Sequence, residues 1–566
     1  MEPASLLVSV VALYPICIQG YRTFTSIRDF QSTSSALFWK LKTQELRFTT
    51  WGDAHSFKDA EVTEDYPTVA PAQFQKYSKR VLELVHGVLV AMQEVMHDVD
   101  KLVDRYGLEV LDPISVDQSA AGKASQKSIR LRARWAIRDR KAFEALIDDL
   151  RDFNDALDAT LTPMVLQLVD FSVRSQLTAS AGRVEDLQTI RAMDNQSGLL
   201  RNMASFKSLN LTLQEQRPTI LTQNANREIE LSEVRVINWD DFSTAALWHT
   251  TWKNSSSVLV EWKYYNPDLT SNSRANFQLT ADRVRMLVQL LTSEYKPREF
   301  EVLDCIGYIH DGHRSRFGIV YRLYDWTQVN SPGRLEIFGS KVWFTLSEVI
   351  RENPKMPVLG HRLQLALTLL KSMIQLHATG WYHKGYDSEK VVFFLRNMSS
   401  GGQESSPTQS ASSIGVDIRR PKLIGFDYSR PIQRSEFSEF TDQFLLNHSE
   451  KHTHPDYLAL SGEESDAKSN PGYRAEYDMY SLGCVLLEIG LWRPLSVLWK
   501  PEYKTDLAAW KDRLCRKFVP DLGGRCGERY QLVVHSLLTQ IDAATSPGTA
   551  PLSNFELLQL MEEIHT

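Results

Sequence analysis

The chain has 566 residues, of which 43% are hydrophobic and 24% charged, with a formal net charge of −6. That length supports two or more full cores, and that charge balance argues against an overall nucleic-acid-binding character. Five scattered cysteines, Cys17, Cys305, Cys484, Cys515 and Cys526, fit neither a disulfide framework nor paired zinc knuckles. A reducing, cytoplasmic setting is expected, and with no His or Cys cluster at metal spacing no metal is expected.

The N-terminal third reads as helical throughout. Leu6 to Ile18 form an apolar run interrupted by Pro15, expected as a helix too short to span a bilayer by itself, about 20 Å long. Val81, Val85, Val88, Met92, Val95, Val99 and Leu102 repeat with heptad spacing, and Phe143, Leu146, Ile147, Leu150, Phe153, Leu157 and Leu161 form a second apolar face. Two such helices predict an antiparallel bundle. Between residues 123 and 141 lie eight basic residues, among them Lys123, Lys127, Arg130, Arg132 and Arg134, against the single acidic Asp139. Such a cluster attracts anionic lipid headgroups at about 1 kcal/mol per basic residue near the surface. The alternative is a solvated loop whose charges pair with neighbouring carboxylates.

The apolar N-terminal helix, Leu41–Gly52 with its Arg47-Phe48-Thr49-Thr50-Trp51-Gly52, and Arg134-Trp135-Ala136-Ile137 running into Phe143–Asp155 resemble the fungal HeLo (prion-inhibition and propagation) domain over residues 5–215. The resemblance implies a cell-death executor in fungal self/non-self recognition (heterokaryon incompatibility). Its N-terminal helix, with Leu6, Leu7 and Val8 as membrane-contact candidates, would insert once the C-terminal region oligomerises. Implied partners are anionic membrane lipids, an upstream signalling protein and further copies of the chain, with movement from cytoplasm to membrane on activation.

Residues 176–230 are mixed and polar, suited to a brace or linker. Val258-Leu259-Val260-Glu261-Trp262-Lys263 alternates as a strand does, and the following helix places Val284, Leu287, Val288 and Leu291 on one face. Two further strands are expected around Cys305–Tyr308 and Arg316–Tyr321. Leu363 to His377 has a mostly helical apolar spacing and leads into Tyr382-His383-Lys384-Gly385-Tyr386-Asp387-Ser388-Glu389-Lys390. Residues 397–417 are rich in Ser, Gly and Gln and are expected to be disordered. Ile424-Gly425-Phe426-Asp427, His454-Pro455-Asp456 and Tyr477-Asp478 running into a strongly apolar helix follow in that order.

These landmarks, in this order and spacing, resemble the protein kinases. The resemblance implies an α+β bilobal domain at 231–566, with a small lobe at about 231–325 and a large lobe at about 326–566. A 216–230 linker would join it to an all-α bundle at 1–215. Phosphoryl transfer requires a carboxylate to orient the acceptor hydroxyl, and an Asn and an Asp to hold magnesium. Aligned on His383 and Phe426, those places hold Gly385, Lys390 and Gly425. No glycine lies between Gly198 and Gly307, so the glycine-rich hairpin over the phosphates is missing too. Asp387 and Asp427 each lie two residues beyond the expected positions. In extended chain that is about 6.5–7 Å, beyond a general base's reach of about 3 Å.

Lys263 matches the kinase nucleotide lysine, with a solvated surface lysine as its alternative; the next helix lacks a glutamate to pair with it. Asp478 matches the anchor of the catalytic-loop backbone. The expectation is therefore a pseudokinase, with no cofactor beyond weak magnesium-independent ATP binding. Residues 431–476 stand in the place of an activation segment and carry several Ser and Thr. The layout of bundle then pseudokinase is similar to the mixed-lineage-kinase-domain-like necroptosis effectors. An atypical active kinase using Asp387 and Asp427, or a non-enzymatic scaffold, remain open alternatives.

Overall fold

A computed structural model describes residues 3–27, 30–57, 77–112, 134–193, 198–215, 227–235, 247–253, 256–265, 271–323, 343–352, 355–394, 416–426, 430–431, 450–459, 473–545 and 551–564. The chain divides into two compact units, one of Met1–Ala204 with Ser553–Gln559 and one of Ser205–Leu552 with Leu560–Thr566. The division falls at 204/205 rather than at the expected 215. It also gives a segment near the C-terminus to the first unit.

The first unit is built from α1 (Pro3–Thr25), α2 (Ser35–Ala54), α3 (Lys79–His97), α4 (Arg140–Asp158), α5 (Pro163–Ser180) and α6 (Val184–Met193). α1 is longer than the apolar run suggested. Its 23 residues continue through Pro15, giving about 34 Å at 1.5 Å per residue. Ser5–Thr25 is long and apolar enough to cross a bilayer by length and composition, a test that a core helix also passes. Leu6, Val10, Tyr14, Cys17, Tyr21 and Phe24 are buried. Ser5, Val8, Ala12, Pro15, Gln19 and Arg22 form the exposed stripe. Pro15 is tolerated inside the helix because it lies on that outer stripe, away from the packed face.

Burial on α3 departs from the expected heptad. Leu82, Val85, Leu89, Met92 and Met96 are buried, while Val81, Val88 and Val95 are only partly buried beside them. A helix packed among several neighbours buries a stripe wider than a two-helix seam, and the larger Leu and Met side chains fill its centre. Val99 and Leu102 are not on this helix at all. They belong to a separate turn, Val99–Asp104, whose N-cap Asp98 accepts from the Lys101 amide at 3.0 Å.

The unit is also not wholly helical. Arg134–Ile137 (β2) pairs antiparallel with Leu108–Asp112 (β1), Leu108 opposite Ile137 and Val110 opposite Trp135. Leu, Val, Trp and Ile suit a pleated pair, and the Gly107 carbonyl closes it by accepting from the amides of Arg138 and Asp139 at 2.8 and 3.0 Å. Asp139 then caps α4, accepting from the amides of Lys141 and Ala142.

The signature Arg47–Gly52 lies on α2, where Arg47, Phe48, Trp51 and Gly52 each have a packing reason. Arg47 pairs with Asp158 at 2.5 Å and Asp155 at 2.6 Å on α4. Phe48 and Trp51 pack with Tyr14 and Phe57 in one aromatic cluster. Gly52 lets the Tyr14 ring approach the helix: a Cβ there would stand 2.0 Å from the Tyr14 hydroxyl. Buried Asn154 ties α4 to α1 and α2, donating to the Tyr21 hydroxyl at 3.2 Å and to the Gln44 carbonyl at 3.0 Å. The Asp186 carboxylate on α6 accepts from Gln31, Trp39 and Arg183 at 2.8–3.1 Å.

A further helix, α7 (Leu199–Glu215), crosses the division between the units. In the second unit, the described strands β3 (Val234–Arg235), β4 (Leu247–Trp252), β5 (Ser256–Tyr264), β6 (Asp304–Asp311) and β7 (Arg316–Arg322) form an antiparallel sheet ordered β3-β4-β5-β7-β6. α8 (Ser271–Leu291) packs on β6 and β7, burying Val284, Leu287, Val288 and Leu291. Beyond the sheet come β8 (Trp343–Thr345), α9 (Leu359–Ala378), β9 (Trp381–Tyr382), β10 (Val391–Phe394), β11 (Lys422–Leu423), β12 (Arg430–Pro431), α10 (Ala475–Leu491) and α11 (Glu528–Thr545). β10 sits between β8 and β11, and β9 pairs with β12. Every residue of α10 from Tyr477 to Leu491 is buried, so it forms the axis on which α9 and α11 pack.

Candidate functional site

The loop His383–Lys390 joins β9 to β10, and Asp478, in the first turn of α10, lies beneath it. Asp478 Oδ2 accepts from the His383 amide and Oδ1 from the Lys384 amide, both at 2.9 Å. His377 Nε2 donates to the same carboxylate at 3.0 Å and the Tyr473 hydroxyl at 2.6 Å. Burial disfavours this charge, yet the donors from His377 and Tyr473 hold the carboxylate below its usual range. Neither His377 nor Tyr473 stands out in the sequence. Only the fold brings them to the carboxylate.

His383 is fully buried, with Nε2 donating to the Ile424 carbonyl at 2.9 Å. Its ring lies 4.7 Å from that of Phe426. Burial brings its pKa down to about 4, so it is neutral at physiological pH. Lys384 takes a left-handed backbone, φ +67°. Its buried ammonium lies 5.7 Å from the centre of the Tyr457 ring and 5.6 Å from that of Tyr473.

Gly385 and Tyr386 continue the loop to Asp387, which is 4% exposed and accepts from the Glu389 amide at 2.8 Å. Burial raises the Asp387 pKa, with Lys390 and His452 opposing the shift. Its side of the loop lines a small cleft with Lys384, His454, Tyr457, Tyr473 and Ser481. His454 is buried, while Asp456 is exposed at the start of a short helix, Pro455–Ala459. The buried carboxylate nearby is Glu488, which pairs with His452 at 3.1 Å and accepts from the Leu495 amide at 2.6 Å. Nothing in the sequence singles out Glu488, which lies inside an apolar helix.

Lys390 and Gly425 meet across the β10–β11 pair, where the Ile424 amide donates to the Lys390 carbonyl at 3.0 Å. Gly425 has φ +89°. The stem of Lys390 lies over it: a Cβ on Gly425 would stand 2.6 Å from Lys390 Cδ and 2.9 Å from Cγ. A carboxylate side chain at 425 has no room beside this lysine. The described residues of this turn, Ile424, Gly425 and Phe426, supply no carboxylate for a magnesium ion. Asp427 lies outside the described residues, as do most of 397–417 and of 431–476.

Lys263 is half-buried on β5, opposite Phe317 of β7. Glu261, two residues earlier and so on the same face, is buried and accepts from the Tyr321 hydroxyl at 3.1 Å. The one acidic residue of α8, Asp282, pairs with Arg285 at 3.3 Å.

Among the membrane-contact candidates, Leu6 is buried, Leu7 partly buried and Val8 37% exposed. Lys123, Lys127, Arg130 and Arg132 lie outside the described residues, and Arg134 is described only as a backbone position in β2.

Residues 5–190 match the family model HeLo, prion-inhibition and propagation. The match runs from the first turn of α1 into α6 and so takes in α2 with its Trp51-Gly52 packing and the β1–β2 pair. No curated protein matches the chain.

Proposed function

We propose that this chain is a signalling or cell-death effector in which a kinase-like domain without phosphoryl-transfer activity controls a membrane-acting HeLo bundle. The observation that carries the reading is the loop at Asp478. Its frame is complete, with both loop amides on one buried carboxylate and His383 against Phe426, while Gly385, Lys390 and Gly425 occupy the places where chemistry would need acids and an amide. The five-stranded sheet with α8, followed by the helical region around α9 and α10, is the order expected of a small and a large lobe.

Asp387 supports the same reading. A general base must come within hydrogen-bond reach of the acceptor hydroxyl, whereas Asp387 is only 4% exposed and lies under the influence of Lys390 and His452. Single-turnover phosphorylation with magnesium or manganese should show no transfer. Transfer that disappears in Asp427→Ala would overturn the pseudokinase reading in favour of an atypical kinase. A thermal-shift titration with ATP, with and without magnesium, tests magnesium-independent nucleotide binding, for which Lys263 is the candidate contact.

For the bundle, α1 carries no charged residue from Pro3 to Tyr21, and its length matches the roughly 20 residues a bilayer core requires. Release of α1 would deliver it to membranes, with anionic lipids and the 123–141 basic run as the first contact. On this reading the protein is cytoplasmic at rest, responds to an upstream partner and assembles with its own copies at the membrane. The activated full-length protein should release dye from anionic liposomes. Val8→Glu with Ala12→Glu should leave the melting temperature unchanged, since both sites are exposed, and should abolish release. No release by the parent protein would favour a scaffold, and leakage that survives both charges would favour a membrane activity that does not use α1.

A further inference from the structure

The Lys390 stem and the backbone of Gly425 occupy one shared space. Gly425 holds a left-handed φ of +89°, which side chains rarely adopt. Its missing Cβ would overlap three consecutive carbons of Lys390, at 2.6 to 3.1 Å. These are mid-stem atoms, so relieving the overlap would move the whole side chain rather than its tip. The backbone cannot give way either. The Ile424 amide is held by the Lys390 carbonyl at 3.0 Å and the Ile424 carbonyl by His383 at 2.9 Å, while Val391 pairs with Leu423 in the adjoining strands.

The charge of Lys390 acts on its surroundings. It is close enough to Asp387 and His383 to influence the titration of both. A lysine thus stands between the buried acid of the loop and the 424–426 turn, in the region where a phosphoryl-transfer site would hold a divalent cation.

We propose that Lys390 is a tethered cation that has taken over a divalent-metal site, and that Gly425 is its obligatory partner, so that the two positions form one interlocked unit. The metal half of this inference rests on the kinase-like reading above; the steric interlock does not. Two consequences follow. No single substitution restores a metal site, because an acid at 425 collides with Lys390, and an amide at 390 faces a glycine that offers no carboxylate. The same overlap excludes a side chain at 425 as long as Lys390 keeps its course.

A double-mutant cycle on the full-length protein tests the interlock, with thermal midpoints as the readout. Gly425→Ala should be strongly destabilising in the parent. In a Lys390→Ala background it should cost less, because only the backbone strain remains. The two effects should deviate from additivity by about 3 °C or more. Lys390→Met, which keeps most of the stem and loses the charge, should retain the full cost of Gly425→Ala. It provides a second route if Lys390→Ala folds poorly. Additive effects would overturn the interlock.

The metal half is read by titrating manganese alone and following bound ion by electron paramagnetic resonance. Lys390→Asn with Gly425→Asp should bind manganese at this turn, and the parent and each single variant should not. Coupling in the cycle without manganese binding in the double variant would overturn the metal-site assignment, and would count against kinase ancestry while leaving the interlock standing. Manganese bound by the parent protein and lost in Lys390→Ala would overturn the tethered-cation role.

Discussion

At the scale of single residues, Asp478 has the largest expected consequence. It is a fully buried charge receiving four donors, so Asp478→Ala strands two loop amides, His377 and Tyr473 together. A loss on the order of 3–5 kcal/mol is expected in denaturant unfolding; a change below about 1 kcal/mol would mean the carboxylate is not the pin of this loop.

His55 makes a separate pH prediction. Its Nδ1–H donates to the Trp51 carbonyl at 2.7 Å, and its Nε2 accepts from the Tyr77 hydroxyl at 2.9 Å. Burial brings its pKa from 6.5 down to about 4. The unfolded chain therefore takes up a proton that the fold refuses. The stability is intact above about pH 6.5 and is lost progressively as the pH falls toward 4, on the order of 3 kcal/mol in full. His383 adds a loss of the same sign. Melting temperatures at pH 7 and pH 5 should differ less in His55→Gln than in the parent, and an unchanged difference would exclude His55 as a source of acid lability. Neither titration is legible from sequence, because both depend on burial by residues far away in the chain.

At the scale of elements, periodicity identified α3 and α4 as helices and the inward line of α4, where Phe143, Leu146, Ile147, Leu150 and Leu157 are buried, but not the inward line of α3. A heptad pattern through Val81, Val88 and Val95 is real in the sequence, yet Leu89 and Met96 are the residues at the centre. Leu89→Ala should cost about 2–5 kcal/mol and Val88→Ala about 1 kcal/mol or less. Equal costs would restore the two-helix seam. In Arg134–Ile137, four residues leading into a helix carry too little pattern to separate a strand from a first turn. Its partner, Leu108–Asp112, lies far back in the chain. α1 was underestimated for a related reason: hydropathy ended the run at Ile18, whereas Tyr21 and Phe24 extend the same buried stripe beyond Gln19 and Gly20.

At the scale of the whole molecule, the first unit includes Ser553–Gln559, where Gln559 donates to the Ala54 carbonyl at 3.4 Å and Phe555 and Leu558 are buried. A chain ending at residue 552 should therefore show a lower melting temperature for the bundle than the full-length protein. A fragment of residues 1–230 should suffer the same loss, and melting equal to that of the full-length protein would remove the C-terminal segment from the bundle's core.

The sequence by itself determined the N-terminal family resemblance, the helical character of the long apolar repeats, and the residue types at the kinase-like landmarks. These are local properties, carried by side-chain identity and short spacing. Tertiary structure decided the rest: which face of α3 is inside, the β1–β2 pair, the return of residues 553–559 to the first unit, the four donors on Asp478, and the overlap of Lys390 with Gly425. Each of these depends on atoms brought together from distant parts of the chain, and spacing along the sequence carries no record of that distance.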